Sequence, residues 1–224
     1  IVHNEKLRKE LNAVKKEAKE AAKKIAIKIP HFKDSKHHLG HKKHGEDSTI
    51  FITEGPSAAG SMVSARDVYT QAIFGLKGVP MNLHGKTRAA IYKNVEMFNL
   101  MSALGIEDSV DNLRFNKVII ATDADHDGFH IRILLLTFFL HFFEDLVQRG
   151  HVYILETPLF RVRNNKETRY CYSNKERDTA IAAIRGPEVT RFKGLGEISP
   201  KEFGQFIGED MRAVKVNLRS LQEV

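Results

Sequence analysis

The sequence predicts a doubly wound α/β fold, with a mostly parallel sheet and helices on both faces. Residues 117–121 form an unbroken apolar run, which is typical of a strand buried on both faces of a parallel sheet. This run ends in a turn with three aspartates, after which apolar residues recur at helical spacing. Residues 48–53 form a second, β-branched strand, which ends in a turn of small residues beginning at Glu54. We expect both turns at the carboxyl edge of the sheet, where open α/β sheets bind ligands.

The other elements follow from hydrophobic periodicity and turn residues. Apolar residues at alternating spacings of three and four predict one long helix over residues 3–29. Residues 30–47 are rich in histidine and lysine, and we expect a flexible basic loop along a phosphate backbone. A zinc site is the weaker interpretation, because the loop has no finger-type ligand spacing. The remaining predicted elements are a strand at 71–78, a helix at 86–104 broken near Asn94, a helix at 129–148, a strand at 151–155, a hairpin across 164–165, and helices at 174–184 and 199–207.

These elements divide into three segments, a basic helix and linker at 1–47, a metal-binding domain at 48–158 and an α+β tail at 159–224. The first segment holds 13 Lys or Arg and 7 Asp or Glu, so it carries +6 of the net charge of +7. A basic arm in front of an acidic site indicates a polyanionic partner, with nucleic acid as the first candidate.

Composition also excludes several classes of protein. The single cysteine, Cys171, excludes a disulfide framework and a cysteine zinc site. No apolar run approaches the roughly 20 residues of a membrane span, so we expect no membrane partner. Charged residues follow Ile1 and Val2 at once, unlike a signal peptide, and a cytoplasmic location is expected. The chain begins without Met, which suggests a fragment of a longer protein.

The acidic turn carries the strongest chemical signal. Asp123, Asp125 and Asp127 follow one strand, and Glu54 follows another. Carboxylates crowded at one edge repel one another, and a divalent cation is the simplest partner that offsets the repulsion. The sequence therefore predicts a metal site formed by these four side chains.

Two structural interpretations compete with a metal site of this kind. An EF-hand loop shares the Asp-x-Asp-x-Asp-Gly opening, but Leu134 stands where that loop needs a bidentate glutamate. An acidic turn that only caps the next helix, with Asp127 at or near the N-cap, explains one aspartate but not three.

The motifs together resemble a known family. Glu54-Gly55 with Ser57-Ala58, followed by the aspartate turn, resembles the Toprim domain, which implies a Rossmann-like parallel sheet. The wider context is similar to the B-type subunits of bacterial type IIA DNA topoisomerases, over nearly the whole chain. The stretches that carry this similarity are 130–139, 150–159 and the Lys-Gly-Leu-Gly-Glu loop at 193–197. The resemblance favours topoisomerase IV over gyrase, because residues 212–224 lack an extended tail.

The resemblance implies an ATP-dependent type II DNA topoisomerase, an isomerase that works at the nucleoid. The A-type subunit would supply the tyrosine that attacks double-stranded DNA, in an A2B2 heterotetramer. ATP would act only through an amino-terminal domain that this chain lacks. One or two Mg²⁺ ions would be held by Glu54, Asp123, Asp125 and Asp127, of which the first three would be catalytic. The residues expected to contact DNA are Ser57, Lys77, Arg132 and Lys193, and ordinary surface charge is the competing interpretation for the three cations.

Two positions depart from the family pattern. Pro56 stands where the family usually has Asp, and His126 stands where it usually has a small apolar residue. Pro56 removes a carboxylate and a backbone donor, so DNA contact and drug sensitivity are in question. Two other functions stay open, a different Toprim enzyme (a primase or nuclease) that acts without a tyrosine-bearing partner, and a DNA-binding module whose acidic turn is structural. The first predicts chemistry by this chain alone, and the second predicts DNA binding indifferent to Asp123→Asn.

Overall fold

The computed structural model describes residue 5 and residues 8–16 and 29–217. Residues 8–16 are helical (α1), as the predicted helix over 3–29 requires, and the rest of that helix lies mostly outside the described residues. Leu11 and Val14 of α1 pack against the main core, and Lys15 forms an ion pair with Asp108. The apolar stripe of this helix is therefore used in packing.

A six-stranded sheet forms the centre of the molecule, as predicted. Its strands are, in spatial order, β1 (Phe32–Lys33), β3 (Gln71–Leu76), β2 (Thr49–Glu54), β4 (Lys117–Ala121), β5 (Val152–Glu156) and β9 (Arg212–Lys215). The four inner strands are parallel, and the two edge strands are antiparallel. The sheet therefore has the parallel centre that the apolar strands predicted.

Helices cover both faces of the sheet. Ile50 and Ile52 of β2 point into one core layer with α3 (Arg88–Lys93), α4 (Val95–Leu104) and α5 (His126–Phe142). Phe51, between them, points into the other layer with α2 (Gly55–Ala65) and α8 (Pro200–Ile207). This alternation fixes the register of β2, because a slip of one residue would exchange its two faces.

The predicted break near Asn94 is confirmed, whereas the single helix predicted at 129–148 is wrong. Asn94 caps α4, and its side chain accepts a hydrogen bond from the Met97 amide at 3.0 Å. The second helix begins earlier, at His126, and is divided at Phe143 into α5 and α6 (Glu144–Gln148). The buried Phe143 ring lies 5.1 Å from that of Phe138, and its backbone leaves helical geometry there.

The tail contains a second, three-stranded sheet. The predicted hairpin is confirmed as β6 (Phe160–Arg163) and β7 (Thr168–Cys171), and β8 (Glu188–Arg191) pairs with β6 on its other side. Helix α7 (Asn174–Ala183) lies between β7 and β8 in the chain. Strand β9 then returns to pair with β5, so the tail ends in the central sheet.

A polar network joins α8 to the hairpin. Ser199 is the N-cap of α8, where its Oγ accepts a hydrogen bond from the Glu202 amide at 3.4 Å and donates one to Glu202 Oε2 at 2.6 Å. Arg161 Nη1 and Tyr170 Oη donate to Glu202 Oε1 at 2.6 and 2.9 Å. Burial alone would raise the pKa of Glu202, but these three hydrogen bonds outweigh it and lower the pKa to about 2. Burial, followed by the bond to Glu202, raises the pKa of Tyr170 to about 12.

We expect Glu202→Gln to lower the free energy of unfolding by about 1–3 kcal/mol at neutral pH, because Arg161 would lose its charged partner in a largely buried site. The lowered pKa means that ionised Glu202 stabilises the fold above its ordinary value of 4.5 and loses this effect as pH falls toward about 2. The difference in the free energy of unfolding between wild type and variant should therefore become smaller as the pH is lowered. Urea unfolding of both proteins at neutral and acid pH measures this difference.

Glu188→Gln is the matched control, since the Arg163–Glu188 pair is exposed and should contribute little. An equal loss in both variants, or a gap for Glu202→Gln that stays constant in acid, would contradict the assigned role of the network.

Candidate functional site

The acidic site lies at the carboxyl edge of the central sheet. Strands β2 and β4 are adjacent and parallel, with Thr53 opposite Ala121, so Glu54 and the aspartate turn leave the sheet side by side. The structure brings all four predicted carboxylates within electrostatic range of one another. Burial, followed by the charges of Asp123, Asp125 and Asp127, raises the pKa of Glu54.

Glu54 is the least satisfied of these carboxylates. It precedes α2 as the N-cap residue, but its side chain makes no capping hydrogen bond. Its Oε2 atom is buried and has no hydrogen-bond partner among the described residues. Leaving an ionised oxygen buried and unpaired costs free energy, which a bound cation would offset.

Asp125 caps α5, and its Oδ1 accepts a hydrogen bond from the Gly128 amide at 2.8 Å. The capping interpretation had placed Asp127 at or near the N-cap, whereas Asp127 lies exposed in the first helical turn. Capping therefore accounts for one aspartate and leaves the other two unexplained. The EF-hand interpretation is wrong, because Leu134 lies within α5 and strand β4 precedes the turn.

The Lys-Gly-Leu-Gly-Glu loop at 193–197 touches both turns of the site. The Leu195 amide donates a hydrogen bond to Asp123 Oδ1 at 2.8 Å. A Cβ atom added at Gly194 would lie 2.5 Å from Asp123 Oδ2, and one at Gly196 would lie 2.9 Å from Ser57 Oγ. A side chain at either glycine would therefore require Asp123 or Ser57 to move, because the backbone of the loop packs directly against the two turns.

This docking was missed by the sequence analysis, which assigned only Lys193 of the loop to the site. Leu195 is buried in the core layer beside α2, which anchors the loop. Glu197 was also missed. Its Oε2 atom accepts a hydrogen bond from the Lys193 amide at 2.9 Å. The alternating glycines were a signal of close backbone approach, but they did not indicate which residue is approached.

The pKa of Asp123 is shifted in opposite directions by its surroundings. Burial raises its pKa, the Leu195 amide lowers it, and the charges of Asp125 and Glu197 raise it, so that the net shift is upward. Glu197 thus adds a fifth carboxylate to the electrostatics of the site. The net upward shift shows that the surrounding residues do not fully compensate the negative charge.

The residues predicted to contact DNA lie around this edge. Ser57 and Lys193 are exposed on the two elements that touch Asp123 and its neighbours. Lys77 is exposed directly after β3, whose last residue pairs with Glu54. Arg132 is half-buried, and this burial lowers the pKa of its guanidinium group. Its Nε atom donates a hydrogen bond to Thr122 Oγ1 at 3.4 Å. Arg132 also lines a cavity of about 410 Å³ together with Asp123 and Asp125.

The donor set suits a hard divalent cation, since all four side chains offer carboxylate oxygens. Within the described residues, however, no three Asp, Glu, His or Cys side chains lie close enough together to hold a metal ion as they stand. An ion bound by three of them would require side-chain rotation. The unpartnered Glu54 Oε2 is free to make such a movement without losing a hydrogen bond.

The two unusual positions lie at the starts of the two helices of the site. Pro56 lies in the first turn of α2, as predicted, where its missing amide is tolerated. His126 is the first residue of α5 and is exposed. Both therefore face solvent beside the carboxylates.

Comparisons with known proteins agree with this geometry. Residues 49–157 match the Toprim domain. Over its whole length the chain is 62% identical to the B-type subunit of DNA topoisomerase 4 from Borreliella burgdorferi and covers 38% of that protein. Over 70% of its length it is 41% identical to the B-type subunit of DNA gyrase from Thermus thermophilus, of which it covers 26%. The chain thus spans well under half the length of these relatives.

A solved structure supports the fold. The DNA-binding, cleavage and re-ligation domain of Plasmodium falciparum topoisomerase II aligns with a TM-score of 0.74 over 88% of this chain and 29% of that chain. The two sequences are 24% identical, so this likeness concerns the fold alone. No described helix is long and apolar enough to cross a membrane.

We expect Glu54→Gln to raise the melting temperature of the metal-free chain. The pKa of Glu54 is raised above its ordinary value of 4.5, so its ionised form opposes folding at neutral pH. The gain should vanish below that value, where Glu54 is protonated in both folded and unfolded states. Stabilisation by added Mg²⁺ should shrink in the variant, because a ligand is lost.

Thermal unfolding with EDTA and with Mg²⁺ measures both effects. Glu209→Gln, at an exposed position outside the site, controls for the loss of one negative charge. A lower melting temperature for metal-free Glu54→Gln, with no change in the control, would show that the Glu54 charge is already compensated.

We also expect Gly194→Ala to weaken Mg²⁺ binding by about tenfold or more, as for other residues that orient metal ligands. The added methyl group cannot occupy its position without moving Asp123 or the loop. Calorimetric titration measures the affinity, and exchange of the Leu195 amide proton reports on the hydrogen bond to Asp123.

Gly40→Ala is the control, because an added Cβ there meets no atom within 4 Å. Faster exchange at Leu195 with unchanged Mg²⁺ affinity would show that the loop does not position Asp123 for a metal.

Proposed function

We propose that the acidic edge of this chain is the metal-binding half of a DNA cleavage and religation site. The proposal is supported by the match of residues 49–157 to the Toprim domain and by the similarity of the chain to B-type subunits of type IIA topoisomerases. Its higher identity to the topoisomerase IV relative than to the gyrase relative favours topoisomerase IV. The observation that supports this function is the convergence of Glu54 with three aspartates. The Oε2 atom of Glu54 is buried there and has no hydrogen-bond partner among the described residues.

In this proposal the substrate is double-stranded DNA and the partner is the A-type subunit, in an A2B2 heterotetramer. That second polypeptide supplies the tyrosine nucleophile, and ATP acts through a domain outside this chain. The complete enzyme is an ATP-dependent type II topoisomerase that works on the cytoplasmic nucleoid. The acidic edge is well suited to this division of labour, because its carboxylates hold a cation and leave the attack on phosphorus to the other polypeptide.

The four carboxylates have distinct roles. Glu54, Asp123 and Asp125 are the principal ligands, and Asp127, which is exposed, serves a second ion or binds through water. When bound, Mg²⁺ stabilises the negative charge that develops on the phosphodiester oxygens. The raised pKa of Glu54 also suits it to pass a proton to the leaving 3′ oxygen.

The surrounding residues hold the DNA and the ligands in place. The Leu195 amide fixes one oxygen of Asp123 and leaves the other free. Ser57, Lys77 and Lys193 are exposed around the edge and contact phosphates. Arg132 lies deeper, beside Thr122, where it lines the cavity at the aspartate turn and serves as the fourth phosphate contact.

A DNA cleavage assay tests the proposed function. The chain is mixed with its cognate tyrosine-bearing polypeptide, supercoiled plasmid and Mg²⁺, and the reaction is quenched with denaturant and protease. We expect linear DNA that requires both polypeptides and Mg²⁺. Asp123→Asn and Glu54→Gln should each reduce cleavage by about 100-fold or more, since each removes a metal ligand.

Asp210→Asn, at an exposed position of the tail, is the matched control and should cleave like wild type. Cutting by this chain alone would favour a Toprim nuclease instead. DNA binding without cleavage in any mixture, and equal binding by Asp123→Asn, would favour a DNA-binding module.

A further inference from the structure

A second cluster of ionisable side chains lies at the opposite edge of the sheet. Residues 36–48 immediately precede β2, and Tyr69 precedes β3, so this cluster lies where the parallel strands begin. Glu54 lies at the other end of the six-residue strand β2, whose two ends are about 17 Å apart at the rise of an extended strand. The two surfaces therefore cannot hold the same phosphate group.

Three histidine rings are stacked in this cluster. The ring centroids of His37 and His41 are 4.0 Å apart, and His44 lies 5.4 and 5.5 Å from them. Tyr69 extends the stack at 5.7 Å from His37, and Lys36 Nζ lies 4.4 Å from the centre of the Tyr69 ring. We call His37, His41, His44 and Lys36 the histidine patch.

The loop that carries the patch is held by backbone hydrogen bonds, although the sequence suggested a flexible linker. The His37 amide donates to Tyr69 O at 2.7 Å, and the Leu39 amide donates to Arg114 O at 2.7 Å. The Gly45 amide donates to His41 O at 2.9 Å, and a Cβ at Gly45 would collide with the Leu39 and His41 carbonyls. The rings are therefore presented on a closely folded loop.

The charges around the patch are mixed, because the exposed Glu46 lies in the same loop as the lysines. Lys42 and Lys43 are exposed within the same loop. Two carboxylates face the patch, Asp47 at 3.5 Å from His44 and Asp67 on the segment that carries Tyr69. His38 points elsewhere, because its Nε2 contacts Asp34 and Arg114.

Protonation of the stack is opposed by its own geometry. Burial, followed by the charges of His41 and His44, lowers the pKa of His37, and Lys36 adds to this while Asp67 acts against it. Imidazolium ions at stacking distance repel one another, so the free loop disfavours a charge on His37. An anion on the exposed edge would reverse this balance, because it stabilises the charged form.

A transition metal is a poorer fit than an anion. The ring planes within the stack lie 16–28° apart, so their nitrogen lone pairs run side by side rather than toward one point. Within the described part of the chain, no three metal-ligating side chains are placed to hold an ion. His41 Nδ1 also already accepts the amide of His44 at 3.2 Å.

We propose that the histidine patch binds the phosphate backbone of duplex DNA and takes up protons as it binds. The choice of duplex DNA as the polyanion rests on the proposed function, whereas the need for an anion rests on the patch itself. This contact is separate from the cleavage site and holds DNA at the opposite edge of the sheet. Each phosphate neutralised there releases counterions, so binding becomes more salt-dependent as the patch is protonated.

The test is DNA binding as a function of pH, measured by fluorescence anisotropy of a short labelled duplex in EDTA. We expect affinity at least about tenfold tighter near pH 6 than near pH 8, with a salt slope steeper by about one for each added phosphate contact. The triple variant His37→Gln/His41→Gln/His44→Gln should lose most of this pH dependence. The single variant His44→Gln, at an exposed position, should lose part of it while disturbing the loop less than the triple variant does.

His84→Gln/His141→Gln, which removes two exposed histidines elsewhere, should keep the wild-type pH dependence. Equal pH dependence in wild type and His44→Gln, binding that requires Zn²⁺, or a preference for anionic lipid vesicles over DNA would overturn the proposal. Glu209→Gln, at an exposed position outside both sites, should bind as wild type does in EDTA. Intact cleavage in the two-polypeptide assay, together with unchanged pH dependence in the triple variant, would reject the patch and leave the proposed function standing.

Discussion

Repulsion among carboxylates at one edge of the sheet is the constraint on which the site depends. Parallel pairing of β2 and β4 places Glu54 beside the aspartate turn, and the two core layers keep that register. The surrounding protein only partly relieves the repulsion, since one amide is aimed at Asp123 and Glu54 Oε2 has no partner among the described residues. The fold therefore maintains a local excess of negative charge, which is the condition under which a divalent cation binds strongly.

Contacts from the tail also stabilise the acidic edge of the sheet. The loop at 193–197 sits between β8 and α8, and the Glu202 network fixes α8 to the hairpin. Strand β9 then closes the tail against β5. Because the loop is held on both sides, the Leu195 amide is presented to Asp123 in one position, and the hydrogen bond requires little further ordering. The division between the metal-binding segment and the tail stays a prediction, but the two share this site.

Local pattern was sufficient to predict the parallel sheet, its carboxyl-edge turns and the capping break at Asn94, because each depends on neighbouring residues. The docking of Leu195 on Asp123 joins residues 72 positions apart, and periodicity contains no information on such a contact. The helix division at Phe143 was also beyond local pattern, because the apolar spacing continues across it from Phe139 to Leu146 and Val147. The stacked histidines could be counted in the sequence, but only the backbone bonds to Tyr69 and Arg114 show that they form one surface.

The two edges of the sheet carry opposite chemistry, and this has a consequence for how DNA meets the protein. A phosphate backbone is repelled by the acidic edge unless cations are bound there, whereas the amino edge presents lysines and histidines that attract it at any metal concentration. Binding at the amino edge would raise the local DNA concentration near the acidic edge without competing for metal. Since imidazoles carry charge only when protonated, the strength of this attraction would depend on pH, whereas DNA binding at the acidic edge would depend on the cation. In the proposed function, DNA attraction would thus respond to protons and cleavage to the divalent cation, so that each can be varied experimentally while the other is held constant.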